Sequence, residues 1–197
     1  GMERMFQLLR QVPVPVVCCN LYDVKMERSV FAPYVMKRLG NKRIAFVGVT
    51  TPMSLDTEAY AFRDDEGNLI YDLQHEDIAV QLQRAVDEAR RAGADYVIVD
   101  SHLGEEETNR NSDSHLAVAN TKDIDIVLDG HSHAVIVADT VVNKVGKPIV
   151  VTQTGTKFAN IGKLLITPDG KMTTSLIPIE SVKEKNAYVV QVTDSIH

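Results

Sequence analysis

The chain has 197 residues, 44% of them hydrophobic and 24% charged, with a formal net charge of −6. This is an ordinary globular balance, at a length that can bury a full core. The acidic charge and the lack of a long basic run exclude an electrostatic nucleic-acid face, and no apolar stretch reaches the roughly 18–20 residues that cross a bilayer.

MERMFQLLRQ (2–11) spaces Met2, Met5, Phe6, Leu8 and Leu9 along one face, which predicts a helix. Pro13 and Pro15 end it, and VPVVCCN (14–20) reads as a buried strand closing at Asn20. Neighbours in a strand point to opposite faces, so the adjacent Cys18 and Cys19 read as buried thiols and not as a disulfide. FAPYVMKRL (31–39) and KRIAFVGVTT (42–51) read as two strands about a Gly40-Asn41 turn. An irregular stretch follows Thr50-Thr51-Pro52, with a further turn at DDEGN (64–68).

From Glu76 to Ala92 the apolar stripe Ile78, Leu82, Ala85, Val86 and Ala89 predicts a helix, and Gly93 stops it. DYVIVDSH (95–102) has the continuous β-branched character of a parallel strand. SDSHLAVANT (112–121) reads as a short helix with Ser112 near its cap, and IDIVLDGHSH (124–133) repeats the strand with a polar tip. After it, VIVADTVVNKVGKPIVVTQTG (135–155), NIGKLLITPDGKMTTSLIPI (160–179) and AYVVQV (187–192) read as short strands of a closing β meander.

Three of the six histidines sit at strand tips: His102 after YVIVDS, and His131 and His133 after DIVLDG. In parallel α/β architecture the carboxyl ends of neighbouring strands open on one edge, where sites gather. Three imidazoles converging there suit zinc, manganese or iron. His75, His115 and His197 have no such placement and read as structural. Asp113-Ser114-His115 spells Asp-x-His but falls at a helix start, and Asp100 and Asp129 are expected to turn away from the histidines. Asn20, at a strand end, is a candidate for the substrate edge of the site or for a turn.

SHLG (101–104) followed by DGHSH (129–133) resembles the second half of the calcineurin-like metallophosphoesterase pattern. The run from VCCNLYD (17–23) through IAFVGVTTP (44–52), AGADYVIVDSHLG (92–104), LAVANTKDIDIVLDGHSH (116–133) and VVTQTG (150–155) to IGKLLIT (161–167) resembles its 5′-nucleotidase branch. That branch also holds UDP-sugar hydrolases and 2′,3′-cyclic-nucleotide phosphodiesterases. The resemblance implies an α/β fold, a partial four-layer αββα sandwich of metallophosphoesterase type lacking the N-terminal strands and helices. It implies one truncated catalytic domain over 1–197, the C-terminal half, without the nucleotide-specificity domain.

It also implies two divalent metals of zinc, manganese or iron type that activate a hydroxide. His102 and His131 would ligate one and His133 the other. The family's Asp-x-His, Gly-Asp and Asn-His elements are not found before NLYD (20–23). The expectation is therefore a fragment of a dinuclear phosphoesterase for nucleotide-type esters, with no catalytic residue of its own and weak or absent metal binding. An uncovered sheet edge or apolar face would drive homo-oligomer formation. By analogy the parent enzyme is exported or periplasmic, although the first 30 residues lack the order of a signal peptide. Two other readings stand beside this one: a non-catalytic binding or assembly protein that keeps the fold, and a mononuclear metal module built from all three histidines.

Overall fold

The computed structural model describes residues 1–105 and 112–195. The first part runs α1 (Met2–Leu9), β1 (Tyr22–Asp23), β2 (Arg28–Ser29), β3 (Tyr34–Leu39), β4 (Lys42–Thr50), α2 (Ser54–Thr57), α3 (Ala59–Phe62) and β5 (Tyr71–Asp72). The central α/β part is α4 (Ile78–Arg91), β6 (Tyr96–His102), α5 (Ser114–Ala119) and β7 (Ile126–Asp129). Then come β8 (Val135–Val142), β9 (Pro148–Thr154), β10 (Asn160–Ile166), β11 (Met172–Pro178) and α6 (Ala187–Asp194).

Six strands form one sheet in the order β3-β4-β6-β7-β9-β8. Its four inner strands are parallel, while β3 and β8 pair antiparallel at the two edges. The β3–β4 hairpin closes through Gly40 at φ +61°, the left-handed backbone that a two-residue turn requires. The Asp77 carboxylate caps α4 by accepting from the Ala79 and Val80 amides, and Gly93 at φ +89° ends the chain's run behind it. The helix buries Ile78, Leu82, Ala85, Val86 and Ala89 against Ala45, Val47, Val97 and Val99 of the sheet.

Strand alternation sends the other side chains to the opposite face, where Ile44, Ile98 and Ile126 meet Leu164, Ile166 and Met172 of the β10–β11 hairpin. That hairpin covers the face only in part. It leaves a trough of about 700 Å³ lined by Ile44, Phe46, Tyr96, Ile98, Leu128 and Leu164, among others. A smaller core gathers Met2 of α1 with Leu21, Leu55, Phe62 and Leu73. The mixed α/β sandwich agrees with the expected fold class.

Three elements differ from the sequence expectation. VPVVCCN is not a strand; Val17 makes one isolated bridge to Ala32. The reason is that Pro13 and Pro15 supply no donors, and the segment instead lies across the sheet. Cys19 N donates to Gly48 O at 2.8 Å, and a Cβ on Gly48 would stand 2.2 Å from the Val17 carbonyl oxygen. The closing strands are no meander, since β9 inserts between β7 and β8. AYVVQV is the helix α6, started by Asn186, whose side chain accepts from the Val189 amide; with no neighbouring strand to pair, its local hydrogen bonds decide. As expected, Ser112 lies near the cap of α5, which is Asp113, accepting from the Leu116 amide at 2.8 Å.

Leu82 is 1% exposed at the helix–sheet contact. Leu82→Ala should lower unfolding stability by about 2–5 kcal/mol, read as an earlier urea midpoint with an unchanged slope.

Candidate metal-facing site

The parallel register carries β6 and β7 to one carboxyl edge, β6 ending in His102 and β7 in Asp129 followed by Gly130. Two glycines let the imidazoles there close on each other. A Cβ on Gly130 would lie 3.0 Å from His102 Nδ1, and one on Gly104, at φ +81°, would lie 3.3 Å from His131 Cδ2. The His102 and His131 rings stand edge to face with centroids 5.2 Å apart.

His131 and His133 both occupy the left-handed region, at φ +83° and +61°. For residues with a Cβ this costs roughly 1–2 kcal/mol each, and such strain collects where side chains must be aimed. His131 is half-buried and His133 is exposed on the same turn. Partial burial and the imidazole beside it hold the His102 pKa below its ordinary value; His133 adds to this, and the Asp129 carboxylate pulls the other way. The ring therefore stays neutral further to the acid side of neutrality, with a nitrogen lone pair open to an electrophile.

Asn20 is fully buried. Its Nδ2 donates to the carbonyls of Thr50 and Leu73 at 2.8 and 2.9 Å, while its Oδ1 accepts from the Thr50 amide at 3.0 Å and from Cys18 Sγ. Every hydrogen-bonding group of that amide is occupied, and it ties the crossing segment to the end of β4. His75 stacks on Tyr22 with ring centroids 3.8 Å apart, and His115 Nε2 lies 3.3 Å from Asp139. His197 lies outside the described residues. Cys18 and Cys19 are free, and burial pushes both thiols up, as buried inert cysteines require.

Asp100 and Asp129 do not both turn away. The two-residue strand period puts Asp100 on the same sheet face as His102, and burial pushes its carboxyl above the usual range. Asp129 turns to the helix side, where its Oδ1 accepts from the Leu103 and Gly104 amides at 3.2 and 3.3 Å. Gln153, which the sequence reading passed over, accepts on Oε1 from Ser132 Oγ at 3.0 Å and from the Ala134 amide at 2.9 Å. Its signal in the sequence was slight, a polar residue inside an apolar strand.

Among the described residues no three His, Cys, Asp or Glu side chains form a group able to hold a metal ion. The donor chemistry fits part of a centre. Two neighbouring imidazoles, one of them kept neutral, suit a borderline divalent ion whose other ligands come from water or from residues outside this set.

The fold is shared by solved structures of other proteins. The structure aligns with the sulfate thiohydrolase SoxB of Thermus thermophilus at TM-score 0.78 and 20% identity, over 98% of this chain and 33% of that one. It aligns with a 5′-nucleotidase precursor, also from Thermus thermophilus, at TM-score 0.68 and 24% identity, over 89% and 36%. In sequence it is 27% identical over 147 residues to a 2′,3′-cyclic-nucleotide 2′-phosphodiesterase/3′-nucleotidase of Salmonella typhimurium, covering 68% of this chain. The chain spans about 22% of the length of that relative. Residues 23–150 match the family described as bacterial capsule synthesis protein PGA_cap, and the chain belongs to that family.

Two substitutions separate support from site. Asn20→Ala strips partners from three buried or half-buried backbone groups and should cost about 2–4 kcal/mol in urea unfolding. Gly130→Ala presses on the exposed His102 ring, so it should shift the His102 and His131 imidazole resonances in NMR while leaving the melting temperature within about 3 °C of the parent.

Proposed function

We propose that this chain forms part of a metal-dependent phosphoric-ester hydrolase acting on nucleotide-type esters. The observation that carries the reading is the His102–His131 pair at the carboxyl edge of a parallel sheet, with His133 on the adjoining turn. The similarity to a nucleotide phosphodiesterase supports the ester class. Two bound divalent ions would polarise the phosphoryl oxygens and supply hydroxide as the nucleophile.

His102 and His131 would hold one ion and His133 the other. The chain's own contribution is orientation: the two glycines let the His102 and His131 rings approach, and the left-handed turn carries both His131 and His133. The depressed pKa of His102 keeps protons from competing for its lone pair. Taken alone these residues offer three imidazoles without a bridging carboxylate, so they hold metal weakly and turn over little ester. The apolar trough beside β4, β6 and β7 is the surface on which copies of the chain would associate.

A second reading is favoured by the family match over 23–150: a part in capsule synthesis. Zinc titration tests the first. Zinc should bind in the micromolar range or weaker, and His131→Ala should weaken it by about tenfold or more while His75→Ala leaves it unchanged. Equal affinities in the two variants would overturn the metal reading. Hydrolysis of bis(p-nitrophenyl) phosphate by the zinc-loaded chain at the rate of an intact enzyme would overturn the expectation of weak activity.

A further inference from the structure

We propose that Asp129 and Gln153 act together as positioning residues for the histidine edge, Asp129 fixing the loop behind His102 and Gln153 the turn that carries His131 and His133. The two sit directly opposite each other on the parallel strands β7 and β9. Strand alternation puts both on the helix side with Val127 and Val151, beneath the loops. Gln153 is 1% exposed, yet its Oε1 faces the half-buried turn and accepts from Ser132 Oγ and the Ala134 amide. Those donors flank His133 and follow His131.

The turn needs such a tether. With two non-glycine residues at positive φ, it would relax toward ordinary backbone if nothing held it. Within the turn itself the Ser132 amide reaches only the Gly130 carbonyl, at 3.2 Å. The opposite loop is held in the same way: Asp129 Oδ1 accepts from the Leu103 and Gly104 amides, and the Gly104 carbonyl accepts from Ser114 at the start of α5. Neighbouring strands thus each send one side-chain oxygen to one of the two loops, and the spacing of the His102–His131 pair is inherited from the spacing of β7 and β9.

The inference rests on the proposed metal reading only for its last readout. Gln153→Leu removes the acceptor, keeps the bulk and also removes a buried amide nitrogen that has no partner among the described residues, so the fold should persist. In the metal-free chain, amide exchange at Ala134 should accelerate on the order of tenfold. The His131 and His133 imidazole resonances should move, while that of His75, stacked on Tyr22, stays. Asp129→Ala should do the same at Leu103 and Gly104, and Asp129→Asn, which keeps an oxygen for those amides, should restore protection.

Unchanged exchange and unmoved resonances in Gln153→Leu would overturn the proposal. If that variant does not fold, Ser132→Ala carries the test from outside the core: movement of the two resonances supports the proposal and their constancy overturns it. Zinc alone should bind Gln153→Leu roughly 10–100-fold more weakly than the parent. Equal affinity despite a loosened turn would also overturn it. Absence of zinc binding by the unaltered chain would instead defeat the proposed function, and the positioning role would then be judged on exchange and resonances.

Discussion

Parallel pairing of β4, β6, β7 and β9 is the constraint on which the rest of this molecule depends. Parallel strands must enter the sheet from the same end, so the chain has to travel back along the sheet between them. In this protein α4 lies on the β4-to-β6 return and α5 on the β6-to-β7 return, which covers one face with Leu82, Val86 and Val118, while β8 makes the β7-to-β9 return as an edge strand of the sheet itself. The same pairing delivers every strand's carboxyl end to a single edge. His102 and the Gly130-to-His133 turn meet there because β6 and β7 are neighbours in register, with Asp100 beside Leu128. This arrangement brings their rings within 5.2 Å while keeping Val97, Val99 and Val127 in one core.

The opposite face meets the constraint in a different manner. Its apolar row of Ile44, Ile98 and Ile126 is covered by the β10–β11 hairpin and, near Gly48, by the backbone of Val17. The missing side chain of Gly48 is what allows an extended segment to lie flat on the sheet. Asn20 then locks that segment to Thr50 and Leu73. Support and site are therefore continuous. The end of β4 that Asn20 grips is paired with the end of β6, Thr50 opposite His102.

Buried polar groups divide the work at that edge. Asn20 acts on backbone groups and on the Cys18 thiol, and it stabilises. Asp129 and Gln153 act on the loops that bear imidazoles, so they trade some burial of polar atoms for the aim of side chains above them. His131 and His133 are strained in the backbone, and the tether from Gln153 holds them there. A site assembled in this way is set by strand spacing and not by contacts between the histidines themselves.

Local chemistry decided much of this in the sequence. The stripe of α4 with its Asp77 cap, the Gly40-Asn41 hairpin, and the β-branched strands with histidines at or just past their ends are each legible because their causes lie within a few residues. The fold class and the meeting of His102 with the second motif follow from that alternation of strands and helices. What only tertiary structure decided are the features whose partners are remote in sequence. VPVVCCN lost its strand to a position across the sheet, and β9 inserted between β7 and β8. AYVVQV, with no strand to pair, became a helix. Asp129 and Gln153 found their roles in a register that no local pattern records. A residue's own propensity is written in its neighbours along the chain, whereas the direction of a buried carboxylate or amide is set by whichever loop folds over it.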